Sequence, residues 1–305
     1  MRPTLRQLEY IVAVADCARF GQAAERLNVS QPSLSAQIAE AEADLGARIF
    51  NRGRHGATLT QAGVDIVRRA RRILNEVEDL RASVTGDGIF QGRLRLGVLP
   101  SIGPYLLPGV VRHLHRAHPD FRLVIREEAT DDLEQGLRSG RLDMILSTPE
   151  DHPGTLQTPL FRESLWAGLA QDDPLASDTA PLALSDLTGQ ALLTLGPRHR
   201  LSGIVVELAA AANAHVPDEY EGTSLAAIRL MAAAGSGVGI LPRLYAAAEA
   251  RNVDDVRLRR IDSARAFRVI SLIQPAAFEP RPGSDILAQA LQSEAERIMA
   301  QLPDS

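Results

Sequence analysis

The residues best suited to specific recognition lie at the start of a short helix in the N-terminal segment. Asn28-Val29-Ser30 forms a tight break, Ser30 is a favourable N-cap, and Pro32 suits the first helical turn, where its missing N–H costs nothing. Four further residues there offer hydrogen-bonding groups, namely Gln31, Ser33, Ser35 and Gln37. Glutamine can pair bidentately with adenine in the major groove, and serine bonds less selectively. The pattern favours a helix that reads base edges. The alternative is a polar face on a three-helix core.

The elements that must position these side chains are three short helices. Apolar residues recur at three- and four-residue steps over 4–16, a second short helix is predicted over 22–27, and a third runs from the Ser30 cap to Leu45. Gly46 stops the third helix. Its buried stripe is Leu34, Ile38, Ala41 and Leu45. Two short helices joined by a three-residue turn are typical of a helix-turn-helix.

A basic region follows the third helix. Residues 48–72 hold seven arginines and one aspartate, a net charge of +6, although the whole chain carries −5. Within it, two short apolar pieces flank a glycine-containing turn over 48–60, which predicts a hairpin, or wing, with Arg52, Arg54 and His55 at its tip. Arginines at such a tip can contact phosphates or enter a narrow minor groove. The alternative for each arginine alone is a solvated turn.

A long helix is predicted from a cap at Thr60 to about Thr85. Its apolar positions step by 4, 3, 4, 3 and 4 residues, and they are Ile66, Ala70, Ile73, Val77, Leu80 and Val84. This spacing forms a heptad seam, which needs a partner helix. Self-association would match two half-sites in DNA, so we expect a dimer through this seam. The alternative is packing on the body of the same chain.

Composition limits the remaining possibilities. A chain of 305 residues with 45% hydrophobic residues can form two or three units with buried cores. Its single cysteine, Cys17, excludes an intrachain disulfide and any multi-cysteine metal site. No run of 18 uncharged apolar residues and no signal-peptide pattern occurs, so a cytoplasmic protein that does not contact membranes is expected. We find no catalytic constellation or phosphate-binding loop, and we expect no enzyme activity, metal or cofactor.

The remaining two-thirds of the chain predict two α/β lobes. Short strands and helices alternate from Leu94 to Leu146 as βαβαβ, which favours a mostly parallel sheet. A second unit follows over about 162–264. A strand over 267–273 then returns to the first unit, and a closing helix covers 284–300. Two lobes joined by two crossings create a cleft at the carboxyl ends of the strands.

Hydroxyls and cations at those strand ends are the candidate ligand contacts. The predicted site comprises Ser101, Ile102, Thr130, Ser147, Thr148, His199, Arg200, Ser202, Thr223 and Ser224. His199 and Arg200 add positive charge and donors, which favours a polar or anionic small molecule. Each hydroxyl taken singly has an alternative role as a helix cap.

The N-terminal motifs resemble the DNA-binding module of LysR-type transcriptional regulators. They are FGQAAERL at 20–27, SQPSLSAQI at 30–38, LG at 45–46, FNR at 50–52 and LTQAG at 59–63. The resemblance implies a winged helix-turn-helix, a dimerising linker helix and an effector domain shaped like a periplasmic binding protein. Ala36, Ala39 and Glu40 stand where many members carry basic side chains, so phosphate affinity must depend on Arg26, Arg52 and Arg54.

The resemblance also implies domain boundaries and partners. A DNA-binding domain is expected at 1–59, a linker helix at 60–88 and an effector domain at 89–305. Lobe I would take about 89–161 and 266–305, and lobe II about 162–265. The implied partners are double-stranded promoter DNA, a second copy of the chain (the family usually builds homotetramers), a small-molecule effector and RNA polymerase.

The C-terminal part resembles the OxyR-like, peroxide-sensing branch of this family. The similar segments are LPSIGPYLLP at 99–108, EAT at 128–130, TSL at 223–225, MAAAGSG at 231–237 and ILP at 240–242. In that branch a His-Cys pair and a second cysteine nine residues later carry the redox switch. Here those positions hold His199-Arg200 and Ala209. Arginine and alanine cannot form a sulfenic acid or a disulfide, so the peroxide mechanism is not expected.

Three function classes therefore remain distinguishable. The first is a ligand-responsive transcription factor, and it includes an oxidative-stress regulator that acts without the cysteine pair. The second is a DNA-binding protein whose C-terminal part only oligomerises, which predicts no response to any metabolite. The third, an enzyme with an appended DNA-binding domain, has no catalytic constellation to support it.

Overall fold

Capping side chains begin the first and third helices of the N-terminal unit where the sequence indicates. The computed structural model describes residues 3–53, 56–83, 93–119, 121–218, 221–276 and 282–303. Helix α1 (Leu5–Cys17) begins with a capping box between Thr4 and Gln7. Helix α2 (Phe20–Arg26) begins two residues earlier than predicted. Helix α3 (Gln31–Leu45) has Ser30 as its N-cap and ends at Gly46 with φ of 65°, as predicted.

A hairpin and a long helix complete the N-terminal unit. Strands β1 (Phe50–Gly53) and β2 (Gly56–Leu59) pair antiparallel, which confirms the predicted wing. The Thr60 hydroxyl accepts the Gly63 N–H at 2.9 Å and so caps helix α4 (Gln61–Ser83). Gly63 is required here because a Cβ at that position would collide with the Ile49 carbonyl oxygen. Together α1, α3, the hairpin and the first turns of α4 enclose one hydrophobic core.

The first lobe of the C-terminal domain begins as predicted with alternating strands and helices. Its elements are β3 (Arg93–Val98), α5 (Gly103–Ala117), β4 (Arg122–Glu127), α6 (Thr130–Arg138) and β5 (Met144–Ser147). Strand β3 pairs parallel with both β4 and β5. Leu96 and Val98 alternate with their neighbours into a core closed by α5.

Two long strands, β6 (Thr155–Leu169) and β11 (Phe267–Pro275), are the crossing strands that join the lobes. After β6 (Thr155–Leu169) come β7 (Leu182–Ala183), β8 (Leu192–Leu193), α7 (Arg200–Ala212), α8 (Leu225–Ala233), β9 (Val238–Pro242), α9 (Arg243–Ala248), β10 (Arg257–Asp262), β11 (Phe267–Pro275) and α10 (Ser284–Met299). The first part of β6 pairs with β11, and its second part pairs with β9 and β10.

The resulting sheet differs from the sequence expectation in two respects. Its strand order is β4-β3-β5-β11-β6-β10-β7, with β9 attached to β6 and β8 attached to β9, so one continuous sheet passes through both lobes. Strand β11 is antiparallel to β5 and to β6, which makes the first lobe's sheet mixed rather than mostly parallel. The predicted lobe boundary at 161/162 lies inside β6, because one strand serves both lobes.

Candidate functional site

The start of α3 presents the predicted base-reading residues to solvent. Gln31, Pro32 and Ser33 are exposed, and Ser35 is half-buried one turn further on. The Ser30 hydroxyl accepts the Ser33 N–H at 3.3 Å, so its acceptor is used for capping the helix. The side chains of Gln31, Ser33 and Ser35 therefore form the polar part of this surface.

An acidic group lies beside that surface. Gln37 is half-buried, and its side-chain amide donates to Glu40 Oε2 at 3.2 Å. The amide of the buried Gln7 in α1 donates to the same oxygen at 3.3 Å. Glu40 thus accepts hydrogen bonds from two amides, and the bond from Gln37 restrains the Gln37 side chain. The contact between Gln7 and Glu40 joins α1 to α3 and could not be read from either helix alone.

The basic groups expected to contact phosphates are only partly described. Arg52 lies in β1, and Arg54 and His55 lie outside the described residues. Arg26 in α2 is 60% exposed and lies 3.6 Å from Asp16 Oδ2. Asp16 also pairs with Arg71 of α4. These pairs join α1, α2 and α4 and leave the Arg26 guanidinium accessible to solvent.

The predicted seam of α4 divides into two parts. Ala70 is buried and Ile66 half-buried, and both pack into the N-terminal core of the same chain. Ile73 is 46% exposed and Leu80 65% exposed, with Val77 half-buried between them. Val84 lies outside the described residues. The alternative of packing on the same chain therefore holds for the first turns of α4, and self-association through the later, exposed turns stays a prediction.

Helix α4 also contacts the first lobe. Arg71 Nη1 donates to the Ser139 carbonyl oxygen at 3.3 Å, just after α6. Arg95 Nη2 in β3 donates to Glu78 Oε2 at 2.7 Å. Because Thr130 begins α6 and Ser139 follows its end, this helix connects the candidate ligand site to the linker helix.

Ser101 lies in a buried ionic network. Ser101 is 4% exposed, and its hydroxyl accepts a hydrogen bond from Arg268 Nη1 at 2.7 Å. Arg268 Nε donates to Glu163 Oε1 at 2.7 Å, and Glu163 Oε2 accepts the Leu244 N–H at 2.7 Å. Neither Glu163 nor Arg268 was among the residues predicted from the sequence. Arg268 is the only charge in β11, and Glu163 follows Arg162 in the otherwise uncharged β6, which is the only signal the sequence offered for them.

Thr130 has a buried hydroxyl without a hydrogen-bond partner among the described residues. It is the first residue of α6, and the residue is 7% exposed. The Thr194 hydroxyl, just after β8 in the second lobe, is buried and without a partner in the same sense. Ile102, which precedes α5, is fully buried within the first lobe's core. Buried polar atoms ordinarily have partners, so these two hydroxyls are groups that a ligand or water can satisfy.

Ser147 and Thr148 are committed to other side chains. Ser147 is fully buried, and its Oγ lies 2.8 Å from His152 Nε2. The Thr148 hydroxyl donates to the Asp151 carboxylate. His152 is itself buried, and burial lowers its pKa, while Glu134 at 3.5 Å partly offsets that effect. Direct ligand contact by Ser147 would require His152 to give up this contact.

Two ion pairs join the lobes next to His199. Arg198 Nη2 lies 2.5 Å from Asp132 Oδ2 of α6. Arg200, the first residue of α7, lies 3.7 Å from Asp151 Oδ1. His199 is half-buried between these arginines, and burial, followed by the charge of Arg198, lowers its pKa. These pairs bring His199 and Arg200 to the side of the first lobe that carries Thr130 and Thr148.

The remaining predicted contacts are more dispersed. Ser202 is buried in the first turn of α7. Thr223 and Ser224 are exposed, and the Ser224 hydroxyl accepts the Ala227 N–H at 3.2 Å as the cap of α8. The alternative role as a helix cap therefore applies to Ser224. No described contact joins Thr223 or Ser224 to the other candidate residues.

Among the described helices, none is both long enough and apolar enough to span a bilayer.

Family models match most of the chain. Residues 5–64 match the bacterial regulatory helix-turn-helix protein, lysR family, and residues 88–296 match the LysR substrate binding domain. The hydrogen peroxide-inducible genes activator of Dickeya chrysanthemi is 35% identical over 97% of this chain and 99% of its own. The DNA-binding transcriptional dual regulator OxyR of Escherichia coli K12 is 35% identical over 98% of this chain and 95% of its own.

Solved structures have the same architecture. A full-length OxyR variant from Pseudomonas aeruginosa superposes with a TM-score of 0.75 at 32% identity, covering 96% of this chain and 95% of that one. Full-length CbnR in complex with its target DNA superposes with a TM-score of 0.53 at 26% identity, covering 97% of this chain and 99% of that one. These matches extend across the helix-turn-helix, the linker helix and both lobes.

Proposed function

Because the chain belongs to the LysR family of DNA-binding transcriptional regulators, which are not enzymes, we propose which of its residues bind DNA, join two copies and bind an effector. In this proposal α3 and the wing bind promoter DNA, α4 joins two copies, and the interlobe cleft binds a small polar or anionic effector. The proposed domains are the DNA-binding domain at 1–59, the linker at 60–88 and the effector domain at 89–305. We place the protein in the cytoplasm with its promoter.

The DNA surface is proposed at the start of α3. Gln31, Ser33 and Ser35 supply hydrogen-bonding groups at the N-terminal end of the helix, which is the part of a recognition helix that reaches base edges. Ser30 and Pro32 set where the helix begins, and Gln37 is held by Glu40. The arginines at 26, 52 and 54 are proposed to contact phosphates, because α3 itself carries three acidic side chains and no basic one.

Self-association is proposed through the later turns of α4. Ile73, Val77 and Leu80 continue the heptad steps beyond the point where Ala70 enters the core of its own chain. Two copies joined there would place two recognition helices on two half-sites, and further pairing of dimers would give the homotetramer expected for the family. Contact with RNA polymerase is proposed as the output of the DNA-bound oligomer.

The effector site is proposed around Thr130, Ser101 and His199. The observation that supports it most strongly is the buried Thr130 hydroxyl at the start of α6, which has no partner in the described part of the chain and lies close to the ion pairs that join the lobes. A bound polar molecule would accept from or donate to Thr130 and His199, and it would change the distance between the lobes. The change would reach the DNA-binding domain through α6 and its contact with Arg71.

The test is the substitution Thr130→Val, which removes the hydroxyl and keeps the shape. A panel of small organic acids is screened against the wild-type chain by thermal shift, and each compound that binds is tested for its effect on DNA affinity. Thr130→Val is expected to weaken the response about tenfold or more while DNA affinity without the compound is kept. An unchanged response in Thr130→Val would contradict the site. The absence of any response in a broad screen would favour a domain that only oligomerises.

A further inference from the structure

A cavity lies on the crossing strands, on the face of these strands opposite to Arg268 and Glu163. Its volume is about 210 Å³, and Arg162, Ser164, Arg260, Ile261, Ser263 and Phe267 line it. Side chains alternate between the two faces of a strand. Because Arg162 flanks Glu163 in β6 and Phe267 flanks Arg268 in β11, this cavity and the buried Arg268–Glu163 pair lie on the two sides of the same strands.

Arg162 is held at the cavity without a carboxylate. Its guanidinium carbon lies 3.6 Å from the centre of the Phe267 ring, and among the described residues it forms no ion pair. Stacking on the ring fixes the guanidinium plane and leaves its N–H groups directed outward along that plane. Such an edge is suited to a carboxylate or phosphate oxygen.

Arg260 supplies a second, weakly paired cation. Its Nη2 lies 3.2 Å from Asp262 Oδ1, and the Asp262 side chain is 67% exposed. Its Nε is buried and has no hydrogen-bond partner among the described residues. An exposed ion pair contributes little, so an anion inside the cavity can compete with Asp262 for this guanidinium.

The other lining groups define the size and polarity of a ligand. Ser263 Oγ accepts the Arg265 N–H at 3.1 Å, which leaves its own O–H to donate. Ile261, Ala266 and Phe267 supply apolar surface between the polar groups. A cavity with two guanidinium groups, hydroxyls and an apolar wall matches a compact organic molecule that carries one anionic group.

We propose that this cavity is a second effector site that binds a small organic carboxylate between Arg162 and Arg260, with its apolar part against Ile261, Ala266 and Phe267. The part of β6 at Arg162 pairs with β11, whereas Arg260 lies on β10, which pairs with the later part of β6. A bound carboxylate therefore joins the two halves of the crossing. Any shift of Arg162 or Phe267 is passed to Glu163, Arg268 and Ser101 on the reverse face.

The chain contains its own reporter for this site. Trp166 is the only tryptophan, and its indole N–H donates to Ser164 Oγ at 3.1 Å. Ser164 lines the cavity. A ligand that changes the position of Ser164 will alter the emission of Trp166, so the fluorescence signal comes from a residue adjacent to the site.

The experiment titrates the full-length protein with cyclohexanecarboxylate, which does not absorb at the excitation wavelength, while Trp166 fluorescence and binding heat are recorded. We expect saturable binding of cyclohexanecarboxylate and no binding of the neutral cyclohexanecarboxamide. Arg162→Gln and Arg260→Gln are each expected to weaken binding about tenfold or more. Arg257→Gln, which removes the same charge from the other face of β10, and Thr130→Val, in the interlobe cleft, are each expected to change it less than about twofold.

Three results would overturn the proposal. The first is the absence of saturable binding to the wild-type protein up to about 10 mM. The second is equal binding by wild type, Arg162→Gln and Arg260→Gln, with circular dichroism showing that the variants are folded. The third is a loss of binding in Thr130→Val that is not seen in Arg260→Gln, which would place the carboxylate in the interlobe cleft instead.

Discussion

Glu163 and Arg268 face each other directly across β6 and β11 and form a buried ion pair, with Nε 2.7 Å from Oε1. Their side chains are 0% and 2% exposed. The pair is completed by the Leu244 N–H and by the Ser101 hydroxyl, so it joins the crossing strands to the start of α5 and to α9. Both strands that join the lobes therefore contribute one side chain to this pair.

Breaking this pair is expected to destabilise the effector domain strongly. Glu163→Gln leaves the Arg268 guanidinium buried without a counter-charge, which should lower the free energy of unfolding by about 3–5 kcal/mol. Urea unfolding of the full-length chain, followed by Trp166 fluorescence, measures the loss.

Two further variants test the cause. Arg257→Met removes one partner of the pair with Asp254, whose side chains are 58% and 89% exposed, and should cost at most about 1 kcal/mol. The double variant Glu163→Leu with Arg268→Met removes both charges and should recover most of the stability lost in Glu163→Gln. If Glu163→Gln is no more costly than Arg257→Met, the ion pair does not hold the crossing strands.

The division between base reading and phosphate contact can be measured on DNA. Gln31→Ala should reduce the preference for the specific site by about 1–3 kcal/mol and leave non-specific affinity almost unchanged. Arg26→Gln should weaken binding to all sequences similarly and lower the slope of affinity against salt by about 1. Fluorescence anisotropy over a salt series measures both. Equal losses on specific and random DNA for Gln31→Ala would contradict its assignment.

Acid should destabilise the fold through His152. Burial holds the pKa of His152 below its ordinary value of 6.5, so the ring stays neutral in the folded chain while the unfolded chain takes up a proton. The free energy of unfolding must therefore fall as the pH drops below about 6.5 towards the lower folded pKa. His152→Gln, which can still bond Ser147, should reduce this pH dependence.

The control for His152 is the exposed His115. Urea unfolding at about pH 7 and about pH 5 gives the pH dependence for wild type and for each variant. His115→Gln should leave the dependence as it is in wild type. A dependence unaltered in His152→Gln would show that other groups cause the acid sensitivity.

The elements of this fold were largely predictable because local signals define them. Ser30, Pro32 and Gly46 marked both ends of α3, and the apolar pieces around the wing turn predicted β1 and β2. The seam of α4 was predicted only in part. Heptad spacing identified Ala70 and Ile73 as one stripe, but whether a turn packs on its own chain depends on where α1 lies, which no local pattern contains.

The candidate cleft was less predictable than the fold. Ser101, Thr130 and His199 could be selected because hydroxyls and cations follow strand ends. The partners that determine their chemistry are distant in sequence, as with Arg268 for Ser101 and Asp132 for Arg198. Such partners depend on strand register and lobe closure. For Ser224 the alternative role that the sequence left open applies, because its hydroxyl caps α8.

A DNA footprint shows whether this regulator switches without thiol oxidation. The full-length protein is bound to the DNA upstream of its own gene with and without hydrogen peroxide. Since Cys17 is the only cysteine in the sequence, no intrachain cysteine pair can form, and we predict a protected, roughly palindromic region that peroxide does not alter. A footprint that lengthens or shortens reversibly with peroxide would contradict a switch that is independent of thiol oxidation, and it would make Cys17 the residue to examine.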